Sequence, residues 1–324
     1  MSAAATYPSL TELEACAAIV YQAMPPTAQY AWPLLCDEMR TEVWVKHENH
    51  TPTGAFKVRG GLVYFHHLSR QSPRPPGVIS ATRGNHGQSV GFAAARYGIP
   101  STVVVPHGNS REKNAAMRAL GIELVEHGED FQAARVHAVA LAQQRGLHMV
   151  PSFHPQLVQG VASYSLELLR AVAGLDRIYV PIGLGSGICG MILARHALGL
   201  ATEIVGVVSD AAPAYALSFQ QHTAVEHAVA TQIADGMACR TPEPAALDYL
   251  WRDVMRIVQV SDAQVEDAMR ILFTATHNVA EGAGAAPLAA ALQERDELRG
   301  LKIAVVLSGG NVDRDVFARI LAHA

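Results

Sequence analysis

Short runs of β-branched and apolar residues alternate along the chain with longer stretches in which apolar positions recur every three or four residues. Val43–Lys46, Gly77–Ala81, Thr102–Val105, Glu123–Val125, Arg177–Pro181, Glu203–Ser209 and Lys302–Leu307 read as strands. Several are continuously apolar, the pattern of strands covered on both faces of a parallel sheet. Between them Val90, Ala93, Ala94 and Tyr97 keep helical spacing, and Gly98 with Pro100 supplies the stop. Ser110 predicts an N-cap for a helix over Arg111–Leu120 that ends at Gly121. Phe131–Arg145 is closed by Gly146, and Ile188–Leu198 by Gly199. This alternation predicts an α/β fold of mostly parallel sheets flanked by helices.

Two breaks divide the pattern. Ser72-Pro73-Arg74-Pro75-Pro76-Gly77 can continue neither a helix nor a central strand, and Val150-Pro151-Ser152 is the second stop. The stretch between them predicts a compact unit of three strands and two or three helices. Residues 73–150 are therefore expected to form a small domain inserted into a larger one made of residues 1–72 and 151–324. Ala211–Ala246, with Pro213, Pro242 and Pro244, reads as irregular.

Composition narrows the function classes. Of 324 residues, 50% are hydrophobic and 17% charged, enough apolar material for an ordinary core. The net charge of −4 argues against a nucleic-acid partner, which calls for a basic face. The most apolar window, Ile182–Leu200, is glycine-rich and holds Arg195, which argues against a membrane span. No basic segment leads into an apolar run at the N-terminus, and Glu12 and Glu14 come early, so a cytoplasmic protein is expected. Cys16, Cys36, Cys189 and Cys239 stand far apart, as suits reduced thiols better than a disulfide framework or a zinc site. The 15 histidines are scattered without metal-ligand spacing, and no metal is expected.

Four segments carry residues suited to chemistry. In Thr51-Pro52-Thr53-Gly54-Ala55-Phe56-Lys57, a lysine stands at a helix start next to an aromatic residue. Desolvation there makes an amine nucleophilic; a solvated surface lysine is the alternative. Thr82-Arg83-Gly84-Asn85-His86-Gly87 lies between a strand and a helix, where free N–H groups bind anions or where Asn85 serves as a plain N-cap. Gly183-Leu184-Gly185-Ser186-Gly187 is again strand to loop to helix, and its glycines suit close approach to a phosphate. No acidic residue ends a strand about 20 residues further on, which argues against a dinucleotide. Ser308, in Leu307-Ser308-Gly309-Gly310-Asn311, follows the last strand, where open α/β folds bind ligands and where serine also serves as a turn residue. Together the four segments call for a cofactor with one phosphate and an aldehyde.

In order and spacing these motifs resemble the fold-type II pyridoxal-phosphate enzymes, specifically the threonine/serine dehydratase and serine racemase family. The likeness runs from about Thr11 to the end of the chain. It implies a tryptophan synthase β-like α/β fold and pyridoxal 5′-phosphate as cofactor. It implies that Lys57 forms the Schiff base, that Phe56 packs near the ring, and that Asn85 hydrogen-bonds the ring hydroxyl. Gly183, Leu184, Gly185, Ser186 and Gly187 would hold the phosphate, and Ser308 would face the pyridine nitrogen. Thr82, Arg83, Gly84, Asn85 and His86 would meet the substrate carboxylate, with Glu281 close by. The implied reaction is elimination from a β-hydroxy-L-amino acid (threonine, serine or an aryl analogue such as phenylserine) to a 2-keto acid and ammonia. The implied partners are a small amino-acid substrate and a second copy in a homodimer. Hydroxyaspartate or a hydroxyectoine-pathway intermediate is the alternative substrate, and a racemase, a sulfide-using β-replacement enzyme and a silent amino-acid sensor are further rivals.

Arg83 departs from the family pattern, which has Ser or Ala there. The racemases use that Ser as a base, whereas a guanidinium stays protonated and cannot serve. Arg83 is open to three roles: a carboxylate clamp, a stacking partner for an aryl substituent, or a solvated surface residue. The acidic residues that hold a divalent cation in racemase-type relatives are replaced here by Val208 and Ala214, with Asp210 the acidic residue nearby.

Overall fold

The structure is a computed structural model that describes residues 7–322; the ends of the expected large domain, 1–6 and 323–324, lie outside the described residues. The strands are β1 (Gln29–Ala31), β2 (Glu42–His47), β3 (Val78–Ala81), β4 (Ser101–Val105), β5 (Glu123–Glu126), β6 (His148–Met149), β7 (Arg177–Pro181), β8 (Glu203–Ser209), β9 (Arg256–Val260) and β10 (Lys302–Leu307). They form two sheets. One has the order β1-β2-β10-β7-β8-β9, parallel except for β1; the other has the order β5-β4-β3-β6, all parallel.

The central strands are the continuously apolar ones. β10 lies between β2 and β7, with Val45 and Tyr179 both opposite Val305. Its residues from Ile303 to Leu307 are buried, because helices cover both faces. The helix Gly282–Gln293 is apolar all round and buried over most of its length, as its position between the sheet and the helix Asp262–Thr276 requires. The window Ile182–Leu200 supplies the short buried helix Ser186–Ala197. Among the described residues no helix is long and apolar enough to cross a membrane.

Three readings of the sequence need correction. The helix after β7 starts at Ser186, two residues before the apolar spacing begins at Ile188, because Gly185 turns the chain directly into it. The segment Ala211–Ala246 is less irregular than its prolines suggest. Pro213 precedes the helix Ala214–Gln221, and Pro244 is the first residue of the helix Pro244–Asp253; both are positions that tolerate a missing N–H. Finally, β1, β6 and β9 escaped the pattern: two are very short, and β9 is a half-buried edge.

One polar cluster is folded into the interior. Arg59 donates from Nε to Glu48 and from Nη1 to Glu167, both at 2.6 Å. Lys46 pairs with Glu167 at 2.6 Å and donates to the Thr27 carbonyl at 2.7 Å. Arg59, Lys46 and Glu48 are fully buried. Two cations are thus matched by two carboxylates, the condition under which buried charge is tolerated. The cluster anchors the helix Lys57–Leu68, whose first residue is Lys57, to β2 and to the helix Pro155–Ala171.

Candidate active site

Three loops, each between a strand end and a helix start, converge at the carboxyl ends of the strands. Beyond β10 the carbonyl of Ser308 accepts from the Phe56 N–H at 3.0 Å, and Ala55 bridges Gly309. That tie lays the Thr51–Phe56 loop along the end of the central strand and starts the next helix with Lys57 facing a cleft. Phe56, Lys57, Asn85, residues 183–187, Glu281 and Ser308 all line this cleft, together with Pro181, Gly236, Met237 and Ala283. Residues from all four sequence motifs therefore meet in one place.

The loop 183–187 is shaped for an anion. Gly185 has φ +97°, and a Cβ there would come within 2.7 Å of Ala246. No side chain caps the helix that begins at Ser186, so its first N–H groups stay free. The loop carbonyls are engaged elsewhere: Leu184 accepts from the Tyr215 hydroxyl at 3.0 Å, and Gly187 from the Tyr164 hydroxyl at 3.2 Å. Gly183 leaves no room for a side chain, because the Gly236 carbonyl occupies that space.

Asn85 is the first residue of the helix Asn85–Arg96 but does not cap it; Gly84 stands at the N-cap. Its amide Nδ2 donates to Glu281 Oε1 at 2.6 Å, and its Oδ1 accepts from Asn311 Nδ2 at 2.9 Å. Nδ2 retains a second hydrogen for another acceptor. Glu281 is buried, which raises its pKa, while Lys113, Asn85 and Lys57 pull the other way. Lys57 has its pKa lowered by burial, partly offset by Glu281. A desolvated amine of this kind is nucleophilic near neutral pH.

The remaining predicted residues sit beside the cleft rather than in its lining. Thr82 is buried, and its hydroxyl accepts from the Gly84 N–H at 3.2 Å. His86 is buried with Nε2 unpartnered, and burial with the nearby Lys57 charge pushes its pKa down to about 3, so the ring is neutral. Gln88 Nε2 is likewise unpartnered. The Arg83 side chain is 47% exposed and points across the mouth to Asp235, 3.5 Å away. Sequence reasoning gave no role to Lys113, Asp235, Tyr164 or Tyr215, which no motif marks. Asn311 stood within the Ser308 motif, but its bond to Asn85 depends on tertiary contact.

A buried amine, an uncapped glycine-lined helix start and an amide donor around one cleft fit pyridoxal phosphate. The family model described as pyridoxal-phosphate dependent enzyme matches residues 21–309. The chain belongs to the pyridoxal-phosphate-dependent enzymes of the threonine/serine dehydratase family. It is 36% identical over 279 residues to an L-threonine ammonia-lyase of Geobacter sulfurreducens, covering 86% of this chain and 69% of that one. It is 32% identical over 281 residues to an L-threonine ammonia-lyase of Thermotoga maritima, covering 86% and 70%. The processed form of threonine deaminase isoform 2 from Solanum lycopersicum has the same fold, with a TM-score of 0.89 at 26% identity over 98% of this chain and 96% of that one. The cofactor of this ammonia-lyase family member is pyridoxal 5′-phosphate, and its two mostly parallel sheets are those of the fold-type II enzymes.

Proposed function

We propose that the enzyme eliminates water from a β-hydroxy-L-amino acid with an uncharged side chain (threonine, serine or an aryl analogue such as phenylserine) and that the released enamine takes up one water as it hydrolyses to a 2-keto acid and ammonia, so that the net loss is ammonia. Lys57 carries the cofactor covalently, and its freed amine takes the α-proton as general base. The bound cofactor supplies the electron sink for the charge left on the α-carbon. Asn85 would donate to the ring hydroxyl, residues 183–187 would hold the phosphate, Ser308 would face the ring nitrogen as a neutral partner, and Phe56 would pack beside the ring. The loop Thr82–His86 receives the substrate carboxylate through backbone N–H groups. Residues 73–150 form the small unit that brings this loop to the site, and the enzyme works as a cytosolic homodimer, which sedimentation of the purified protein tests.

The observation that carries the choice of an uncharged side chain is the charge balance at the mouth. Arg83 is answered by Asp235, and Lys113 by Asp235 and Glu281. Two cations facing two carboxylates leave, among the described residues at the mouth, no cation without a partner for a second substrate carboxylate, which speaks against 3-hydroxyaspartate. A keto-acid assay over serine, threonine, phenylserine and 3-hydroxyaspartate tests this. One of the uncharged substrates should exceed 3-hydroxyaspartate at least about tenfold in kcat/KM, about 1.4 kcal/mol in the barrier. A preference for 3-hydroxyaspartate would sink the reading.

A further inference from the structure

Lys113 lies outside every motif that marks the site, yet it reaches the site's interior. It is in the first turn of the helix Arg111–Ala119, whose N-cap Ser110 also donates to Asp313 beyond β10. Its stem runs beneath the turn before Asn85, so a Cβ at Gly84 would collide with the Lys113 methylenes. The ammonium stops 3.7 Å from Glu281 Oε2 and 3.6 Å from Asp235 Oδ2, with only 12% of the side chain exposed. Glu281 in turn presents Oε1 to the Asn85 amide at 2.6 Å. The carboxylate is sealed on its other side, where a Cβ on Gly309 would lie 2.6 Å from Oε1.

We propose that Lys113 is a positioning residue: its ammonium, shared between Glu281 and Asp235, holds Glu281 as the anionic acceptor that aims the Asn85 amide at the cofactor. A charged acceptor binds an amide N–H roughly twice as strongly as a neutral one, so the Asn85 rotamer depends on the charge of Glu281. Asn311 fixes the carbonyl end of the same amide, and the remaining Nδ2 hydrogen is then directed by two anchored neighbours. The groups facing Glu281 are Lys113, Asp235, Lys57 and the Asn85 amide; those facing Lys113 are Glu281, Asp235 and Asp313. Without Lys113, Glu281 keeps its burial and the repulsion of Asp235 and loses its main counter-charge, so it takes up a proton at a higher pH. The inference rests on the proposed role of Asn85 and is independent of the substrate.

The test is a pH titration of the bound cofactor's visible absorbance in folded, substrate-free holoenzyme. In Lys113→Met we expect a transition absent from the wild type or moved up by at least about one pH unit. Lys113→Arg should restore the wild-type curve, and the double variant Lys113→Met with Glu281→Gln should lose the transition, because no ionisable acceptor remains. Lys113→Gln carries the same expectation if the Met variant does not fold. A purely structural lysine would lower the melting temperature and leave the pH curve in place, and that result overturns the proposal. Asn85→Ala separates the two layers. If it changes the spectrum while Lys113→Met does not, Lys113 has no positioning role; if Asn85→Ala leaves the spectrum unchanged, the Asn85 assignment fails and takes this proposal with it.

Discussion

Lys57 and Arg83 show how differently two cations of one site are used. Lys57 lies between the end of β10 and the loop 183–187, and burial lowers its pKa, so its amine is available for covalent chemistry. Borohydride reduction of the holoenzyme followed by peptide mapping should therefore place the pyridoxyl group on Lys57, and Lys57→Ala should lose both label and turnover. Label on another lysine would dismantle the site. Arg83 is half exposed and paired with Asp235 at 3.5 Å, a geometry in which a pair contributes at most about 1 kcal/mol. Arg83→Ala should thus change kcat/KM for serine and threonine by less than about fivefold. A uniform loss of about 1.5–3 kcal/mol across all substrates would instead assign Arg83 to the α-carboxylate. The protonated guanidinium at this position also predicts elimination without racemisation, checked by the absence of the D-enantiomer from an L-amino acid.

At the scale of elements, the site depends on how one helix is seated and another is entered. Arg59, two residues beyond Lys57, is fully buried against Glu48 and Glu167. Arg59→Met leaves both carboxylates facing Lys46 alone, and breaking a buried network of this kind costs about 3–5 kcal/mol. An unfolding free energy within about 1 kcal/mol of the wild type would contradict that account. At the other helix, Gly185→Ala forces a side chain onto a backbone with φ +97° and against Ala246, so cofactor affinity in reconstitution of the apoenzyme should fall at least about tenfold. These features were unequally legible in the sequence. Strands such as Arg177–Pro181 and Lys302–Leu307 were readable to the residue, because burial on both faces writes an unbroken apolar run. The short edge strand Gln29–Ala31 was not, since three residues that alternate in exposure carry no period. The glycine loop and Lys57 stood out because local backbone needs select their residue types. Lys113, Asp235 and the two tyrosines behind the loop were invisible, as their roles arise only when distant segments meet.

Across the whole molecule the two sheets are joined where the site lies, and each contributes a buried neutral histidine. His47 ends β2 of the larger sheet, and burial with the nearby His50 pushes its pKa down to about 4. His86 follows β3 of the smaller sheet, and burial with the Lys57 charge pushes its pKa to about 3. The unfolded chain protonates both near pH 6.5, before the folded protein does. As pH falls below that value the unfolded state binds more protons, and stability drops by up to about 1.4 kcal/mol per pH unit for each group until the folded values are reached. Glu167 adds a later step. Burial alone would raise its pKa, but Arg59 and Lys46 hold it below the usual carboxylate range. Its contribution is present above the unfolded value, near 4.3, and is lost as pH falls through the lower folded value. The melting temperature should therefore decline from about pH 6.5 to pH 4.5, ahead of the protonation of Glu167. His47→Asn, which keeps a polar side chain in the larger sheet, should flatten the decline, because it removes one of the two most strongly lowered histidines. A melting temperature constant from pH 6.5 to 4.5 would mean that these histidines find water or a proton partner in the folded state and that the site interior is less dry than its packing indicates.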